Sequence, residues 1–185
     1  KECREADPSL CSVNQRYEIA LYSINQQYDD YLESEGGVSI DEKPAMQFFS
    51  NGQYFDAFTA IKECVKFARK SIIVIDNYVD ANTLSFFPSK EPSIKLRILT
   101  TQKCITEAFK RAVELYNKQY ENLIISTSID YHDRFLIIDE EEFYHIGASL
   151  KDAGNKTFMF SKIVDTDIQK LILNKIQSEW IDILA

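Results

Sequence analysis

A chain of 185 residues with a formal charge of −8 and a pI of about 4.9 repels polyanions at long range. Broad, non-specific nucleic-acid binding, which relies on a surface rich in lysine and arginine, is thereby disfavoured, although a local basic pocket is not. The length fits one domain, or one domain with a short extra element, and 45% hydrophobic with 27% charged residues is the balance of a globular chain able to bury a substantial core.

Leu10, Tyr17, Leu21, Ile24, Tyr28 and Tyr31 recur at three-to-four spacing, with Asn14 at the one polar seam position. The pattern predicts an amphipathic helix over roughly residues 9–34. Such a helix packs on its own domain, or forms a coiled-coil dimer seam or a stalk to a further domain. Gly36-Gly37 ends it, and residues 37–46 read as a linker. The expected organisation is therefore an N-terminal helix over residues 1–37 and one domain over 38–185.

A second helix is predicted over about 53–69, with Phe55, Phe58, Ile61, Val65 and Ala68 on one face. Lys66, Arg69 and Lys70 stand in its last turn, where cations suit the helix dipole. Residues 71–76 form a β-branched apolar run suited to a strand covered on both faces. A short helix over roughly 80–87, stopped by Pro88, precedes an alternating strand at 94–99. A helix over 102–119 uses Ile105, Ala108, Phe109, Ala112, Val113 and Tyr116, and a short strand follows at 123–125. Residues 134–138 and 143–148 are strand-like runs on either side of Asp139-Glu140-Glu141-Glu142, which predicts an antiparallel hairpin. The turn carboxylates read as solvated rather than as a metal site. A final helix over about 165–183 carries Ile168, Leu171, Ile172, Ile176, Trp180 and Ile181, with Trp180 as a core anchor. The element order gives an α/β fold with a mixed sheet flanked by helices.

His132 and Arg134, two apart at a strand start, are expected on one face. A guanidinium grips two phosphate oxygens at once, and an imidazole donates, exchanges protons or attacks phosphorus. Asp133 has the opposite parity. Asp139 closes the strand and can orient a neighbour. Gly147-Ala148-Ser149-Leu150-Lys151 follows the hairpin; its small residues would let a ligand approach the backbone. Ser149 and Lys151 share parity if the extended path continues. Asp76, Asn77, Tyr78 and Asp80 follow the first apolar strand, where they line a pocket or cap the next helix. The catalytic candidates are thus His132, Arg134, Asp139 and Ser149, and the phosphate-binding candidates Arg134, Ser149, Lys151 and Tyr78. A bland surface or core pair is the competing reading of His-x-Arg.

Cys3, Cys11, Cys64 and Cys104 show no regular spacing, and with two His in the chain no metal site and no cofactor are expected. The thiols read as free, in a reducing, cytoplasmic compartment, a Cys3–Cys11 bridge being the alternative. No signal peptide or membrane-spanning run is visible, and the opening Lys1 suggests a piece of a longer protein.

His132-Asp133-Arg134-Phe135-Leu136-Ile137-Ile138-Asp139 resembles the phospholipase D pattern His-x-Lys-x4-Asp, with Arg134 where that superfamily has Lys. Gly147-Ala148-Ser149 resembles its small pair on the next strand, one residue later than usual, and residues 68–78 resemble its opening strand. The likeness covers roughly residues 45–183. It implies a metal-independent phosphodiesterase, a nuclease among the candidates, in which His132 forms a phosphohistidine. With a single motif, a homodimer would supply the second histidine as acid, since no x-Lys-x4-Asp follows His145. Arg134 would bind phosphate, Ser149 assist, and Asp139 support the geometry. Arg is planar and not interchangeable with Lys at a tight site. His-Asp-Arg also resembles the phospholipase D-like domain joined to a microtubule-interacting-and-transport domain, which implies a membrane-lipid-binding dimer rather than an enzyme; the alternative function is therefore a non-catalytic domain that binds phosphate groups, of a lipid headgroup or nucleic acid, or partner proteins. Bacterial and phage-associated proteins with similar His-Asp-Arg and Gly-Ala-Ser-Leu-Lys segments are a further resemblance, which implies a nuclease-like or defence-linked module.

Overall fold

A computed structural model describes residues 46–87 and 93–179. The predicted N-terminal helix, the Gly36-Gly37 stop, Pro88 and Trp180 lie outside the described residues. Seven strands form one mixed sheet: β1 (Met46–Phe49), β2 (Ser71–Ile75), β3 (Lys95–Thr100), β4 (Leu123–Thr127), β5 (Arg134–Ile138), β6 (Glu142–Ile146) and β7 (Phe158–Ile163). Their order is β1-β7-β6-β5-β2-β3-β4. β2, β3 and β4 are parallel, and every other pairing is antiparallel. The helices are α1 (Tyr54–Lys66), α2 (Glu107–Tyr120) and α3 (Thr166–Glu179).

Side-chain alternation along the strands sorts the core onto two faces. Ile72 and Val74 of β2, Leu96 and Ile98 of β3, Leu136 and Ile138 of β5, and Tyr144 and Ile146 of β6 share one cluster with Ala57, Ile61 and Val65 of α1 and Phe109 and Val113 of α2. Ile73, Ile75, Leu99, Ile137 and Phe143 point the other way, beneath Ile172, Leu173 and Ile176 of α3. The central strands are apolar at nearly every position because both faces are covered. Each buried Ile or Leu side chain contributes about 1.5–3 kcal/mol, so this double burial dominates the fold's stability.

Local chemistry sets the boundaries. The Thr106 hydroxyl accepts from the Phe109 N–H at 3.2 Å, so α2 starts there, and Gln102–Cys104 forms a separate 3-10 turn rather than continuous helix. The predicted helix near 80–87 is a 3-10 segment, Ala81–Phe86, opened by a reciprocal Asp80–Thr83 capping box. Two strands escaped the sequence reading. β7 lies in a stretch to which the sequence reading assigns no element, although Phe158 and Phe160 alternate with exposed Met159. β1 begins at Met46, the last residue of the predicted linker, and pairs with β7, from Met46 opposite Ser161 to Phe49 opposite Phe158.

Candidate phosphate site

The C-terminal end of β2 and the N-terminal end of β5, two central neighbours, meet at one end of the strands. Continuing their pairing one step beyond Ile75 opposite Phe135 sets Asp76 opposite Arg134. Both share the parity of the α1/α2 face. Asp76 is only 1% exposed, yet its carboxylate is well supplied with donors. The Ser149 hydroxyl and the Leu150 N–H donate to Oδ2 at 2.9 and 2.7 Å, and the Tyr78 N–H donates to Oδ1 at 3.0 Å. Burial pushes the Asp76 carboxyl above the ordinary aspartate range. The Leu150 and Tyr78 N–H groups, the Ser149 hydroxyl and the Arg134 charge pull it back without cancelling that rise.

Arg134 is half-buried, and its guanidinium lies 5.4 Å from the centre of the Tyr78 ring, within cation–π range. Its Nε is buried without a hydrogen-bond partner. Tyr78 is 52% exposed and so presents an aromatic rim above the guanidinium.

The loop into β5 is held from two sides. The Asn77 side-chain amide donates to the Tyr131 carbonyl, and Lys175 of α3 bonds Asp130 at 2.9 Å. Thr101 and Cys104 in turn donate to the Asn77 carbonyl, both at 3.1 Å. His132 projects from this loop with its side chain fully exposed. The strand begins only at Arg134, so strand parity does not carry back to His132 as the sequence reading assumed. The imidazole of His132 lies instead near Asp133, with Nδ1 3.8 Å from Oδ1.

At the far end of β5, Asp139 accepts from the backbone N–H groups of Arg69, Lys70 and Ser71 at 2.7–3.1 Å. Burial alone would raise its carboxyl. The Ser71, Lys70 and Arg69 N–H groups and the Lys70 charge outweigh that and hold it below the ordinary range. Asp139 therefore joins α1's exit to the hairpin and stands a strand's length from Arg134.

The expectation that Ser149 and Lys151 share a face is corrected. The chain does not stay extended: Leu150–Asp152 turns into a 3-10 segment, leaving Ser149 buried against Asp76 and Lys151 exposed. Gly147 is small for a structural reason too. A Cβ there would meet the Met159 carbonyl oxygen at 3.2 Å, so β7 backbone, not a ligand, occupies the space. Asp76 is the residue that sequence reasoning weighted too lightly. Its signal was a lone carboxylate closing an apolar strand. Among the described residues, no group of three or more His, Cys, Asp or Glu is arranged to hold a metal ion, and no helix is long and apolar enough to cross a membrane.

No family model matches the chain, and no curated protein matches it in sequence. Solved structures do match its fold. Nuc from Salmonella typhimurium, a phospholipase D family member, matches with a TM-score of 0.56 at 15% identity over 76% of this chain and 98% of that one. NucT from Helicobacter pylori matches with a TM-score of 0.54 at 16% identity over 72% of this chain and 94% of that one. TrmBL2, an archaeal chromatin protein with a novel mode of DNA binding, matches with a TM-score of 0.55 at 16% identity, 90% of this chain spanning 64% of its length. The fold is phospholipase D-like: a seven-stranded mixed sheet flanked by helices.

Proposed function

We propose that this chain binds a phosphodiester where β2 ends and the loop enters β5, and that His132 hydrolyses it. The observation that carries the reading is the His-x-Arg-x4-Asp segment standing on a phospholipase D-like sheet with the His132 imidazole open to solvent. A ring nitrogen of His132 attacks phosphorus, an N–P bond forms and the ester P–O bond breaks. The departing oxygen takes a proton from a second imidazole, which a homodimer supplies as the second subunit's His132. Water then attacks phosphorus and gives its proton to that second imidazole. The P–N bond breaks, returning its electron pair to His132. Arg134, with an Nε that has no protein partner, grips the phosphate oxygens, and Tyr78 shields that contact. Lys151 adds charge from the rim, and Ser149 acts through Asp76. Nucleic acid is the substrate class favoured by the likeness to TrmBL2, a DNA-binding protein.

Hydrolysis of bis(p-nitrophenyl) phosphate and of a short single-stranded oligonucleotide, with EDTA present, tests this reading. Wild-type turnover should persist in EDTA. His132→Ala should abolish it, with a loss of at least about a thousandfold. Arg134→Ala should mainly raise KM, and sedimentation should show a dimer. Activity surviving in His132→Ala would overturn the assignment.

A second reading has its own observation. The Arg134 charge is already partly matched by Asp76, and the Ser149 hydroxyl is turned inward. A non-catalytic site that binds phosphate groups would look the same. It predicts binding of the oligonucleotide or of anionic lipid vesicles with no hydrolysis.

A further inference from the structure

Histidine is scarce here: the chain holds His132 and His145 alone. They are 13 positions apart, on different elements, yet both approach one carboxylate. Asp133 Oδ1 lies 3.8 Å from His132 Nδ1 and 3.9 Å from His145 Nε2. The two nitrogens are therefore at most 7.7 Å apart, the sum of those two distances.

The strands build this arrangement. His145 sits on β6 directly opposite Phe135 of β5, and the rings meet edge-on with centres 5.9 Å apart. Asp133, in the bend immediately before β5, brings its carboxylate to this side of His145, with Oδ1 3.9 Å from Nε2. His145 is 35% exposed and fixed to the sheet, whereas His132 is a fully exposed ring on a loop. An exposed ring on a loop has no orientation of its own. Two nearby groups can give it one: Asp133 directly, and His145 by holding Asp133 from behind.

We propose that Asp133 and His145 are positioning residues for His132: Asp133 draws the proton to Nδ1 so that Nε2 faces the ligand with a free lone pair, and His145 keeps the Asp133 carboxylate in place. A carboxylate at one ring nitrogen selects the tautomer at the other. At 3.8 Å the pair lies beyond hydrogen-bond length, and ligand-bound tightening of such contacts is ordinary. The inference rests on His132 being the nucleophile, but its test does not depend on turnover.

The deciding measurement is the tautomer of His132, read from long-range proton–nitrogen NMR correlations of the chain's two imidazoles at a pH above the ordinary imidazole range. His132→Gln and His145→Phe assign the signals. The wild type should show His132 mainly with the proton on Nδ1. Asp133→Asn should shift it toward the Nε2–H form, Asp133→Glu should restore it in part, and His145→Phe, which retains the ring against Phe135, should shift it partway. A wild-type His132 already in the Nε2–H form, or an Asp133→Asn chain with unchanged signals, overturns the inference. If diesters are hydrolysed, Asp133→Asn should lower kcat roughly tenfold to a hundredfold while KM stays within about twofold. A chain with no hydrolysis but the Nδ1–H form intact would refute the proposed reaction and leave the positioning role standing.

Discussion

Asp76 and Asp139 stand at opposite ends of the same antiparallel pair, β2 and β5. Each accepts hydrogen bonds from three residues. Yet the carboxyl of Asp76 is pushed up and that of Asp139 is pulled down. Removing an ionised group from water costs several kcal/mol, and each bond to a charged group returns roughly 1.5–3 kcal/mol, so the two effects are close in size. Exposure decides the sign. Asp76 is sealed beneath Ser149 and Leu150, and burial wins. Asp139 keeps a wetted side and receives only backbone donors, and the bonds win. One carboxylate is therefore strained in its charged form beside Arg134, as groups at functional sites often are. The other is a structural tie.

Removing Asp76 should have the largest effect. Asp76→Ala leaves the Ser149 hydroxyl and the Leu150 and Tyr78 N–H groups without their acceptor and Arg134 without its neighbouring charge. The loss should be about 3–4 kcal/mol in urea unfolding at neutral pH. Asp139→Ala strips three backbone donors of a partly wetted acceptor and should cost about 2–3 kcal/mol. Their pH trends should run in opposite directions. The raised carboxyl of Asp76 contributes most below the unfolded-state value, about 3.9, and less as pH rises through its folded value. The gap between wild type and Asp76→Ala should therefore narrow as pH rises above about 4. The depressed carboxyl of Asp139 contributes fully above the unfolded-state value and loses its contribution as pH falls through its lower folded value. The gap for Asp139→Ala should hold at neutral pH and close in acid. Parallel trends in the two variants would break the comparison.

The sequence was most legible where burial is two-sided or periodic. The apolar run at 71–76, the alternation of residues 94–99 and the hairpin around Asp139 are each set by local pattern, and all appear as strands, at Ser71–Ile75, Lys95–Thr100, Arg134–Ile138 and Glu142–Ile146. β1 and β7 were missed because a strand of four residues, or one that follows a turn-rich stretch, takes its identity from its partner. Spacing brought out His132 and Arg134 at the site and Asp139 at the far end of the same strand, but parity failed on both flanks of the hairpin. The loop ends one residue before Arg134, and the chain coils after Ser149. The nearness of Asp76 to Arg134, and of His145 to Asp133, comes from strand pairing between distant segments, which no local pattern encodes.

The smallest expected effect is at the turn that carries Asp139. Asp139 and Glu140 both have left-handed backbones, with φ of 57° and 60°, and the Glu141 N–H donates to the Ile138 carbonyl across them at 3.0 Å. This is the mirror-image hairpin turn, whose favoured pair is Asp-Gly. Asp is among the residues that tolerate the left-handed region, and at Asp139 that backbone delivers the carboxylate to the distant α1–β2 junction, whereas Glu140 is solvent-exposed and gains nothing from it. Glu140→Gly should raise stability by up to about 1 kcal/mol, seen as a higher urea midpoint with an unchanged slope. The gain should persist in an Asp139→Ala background, because the strain belongs to the Glu140 backbone and not to the carboxylate tie. If the gain vanished there, the turn and the tie would be one unit, and the stability assigned to Asp139 would have to be shared with the turn's own conformation.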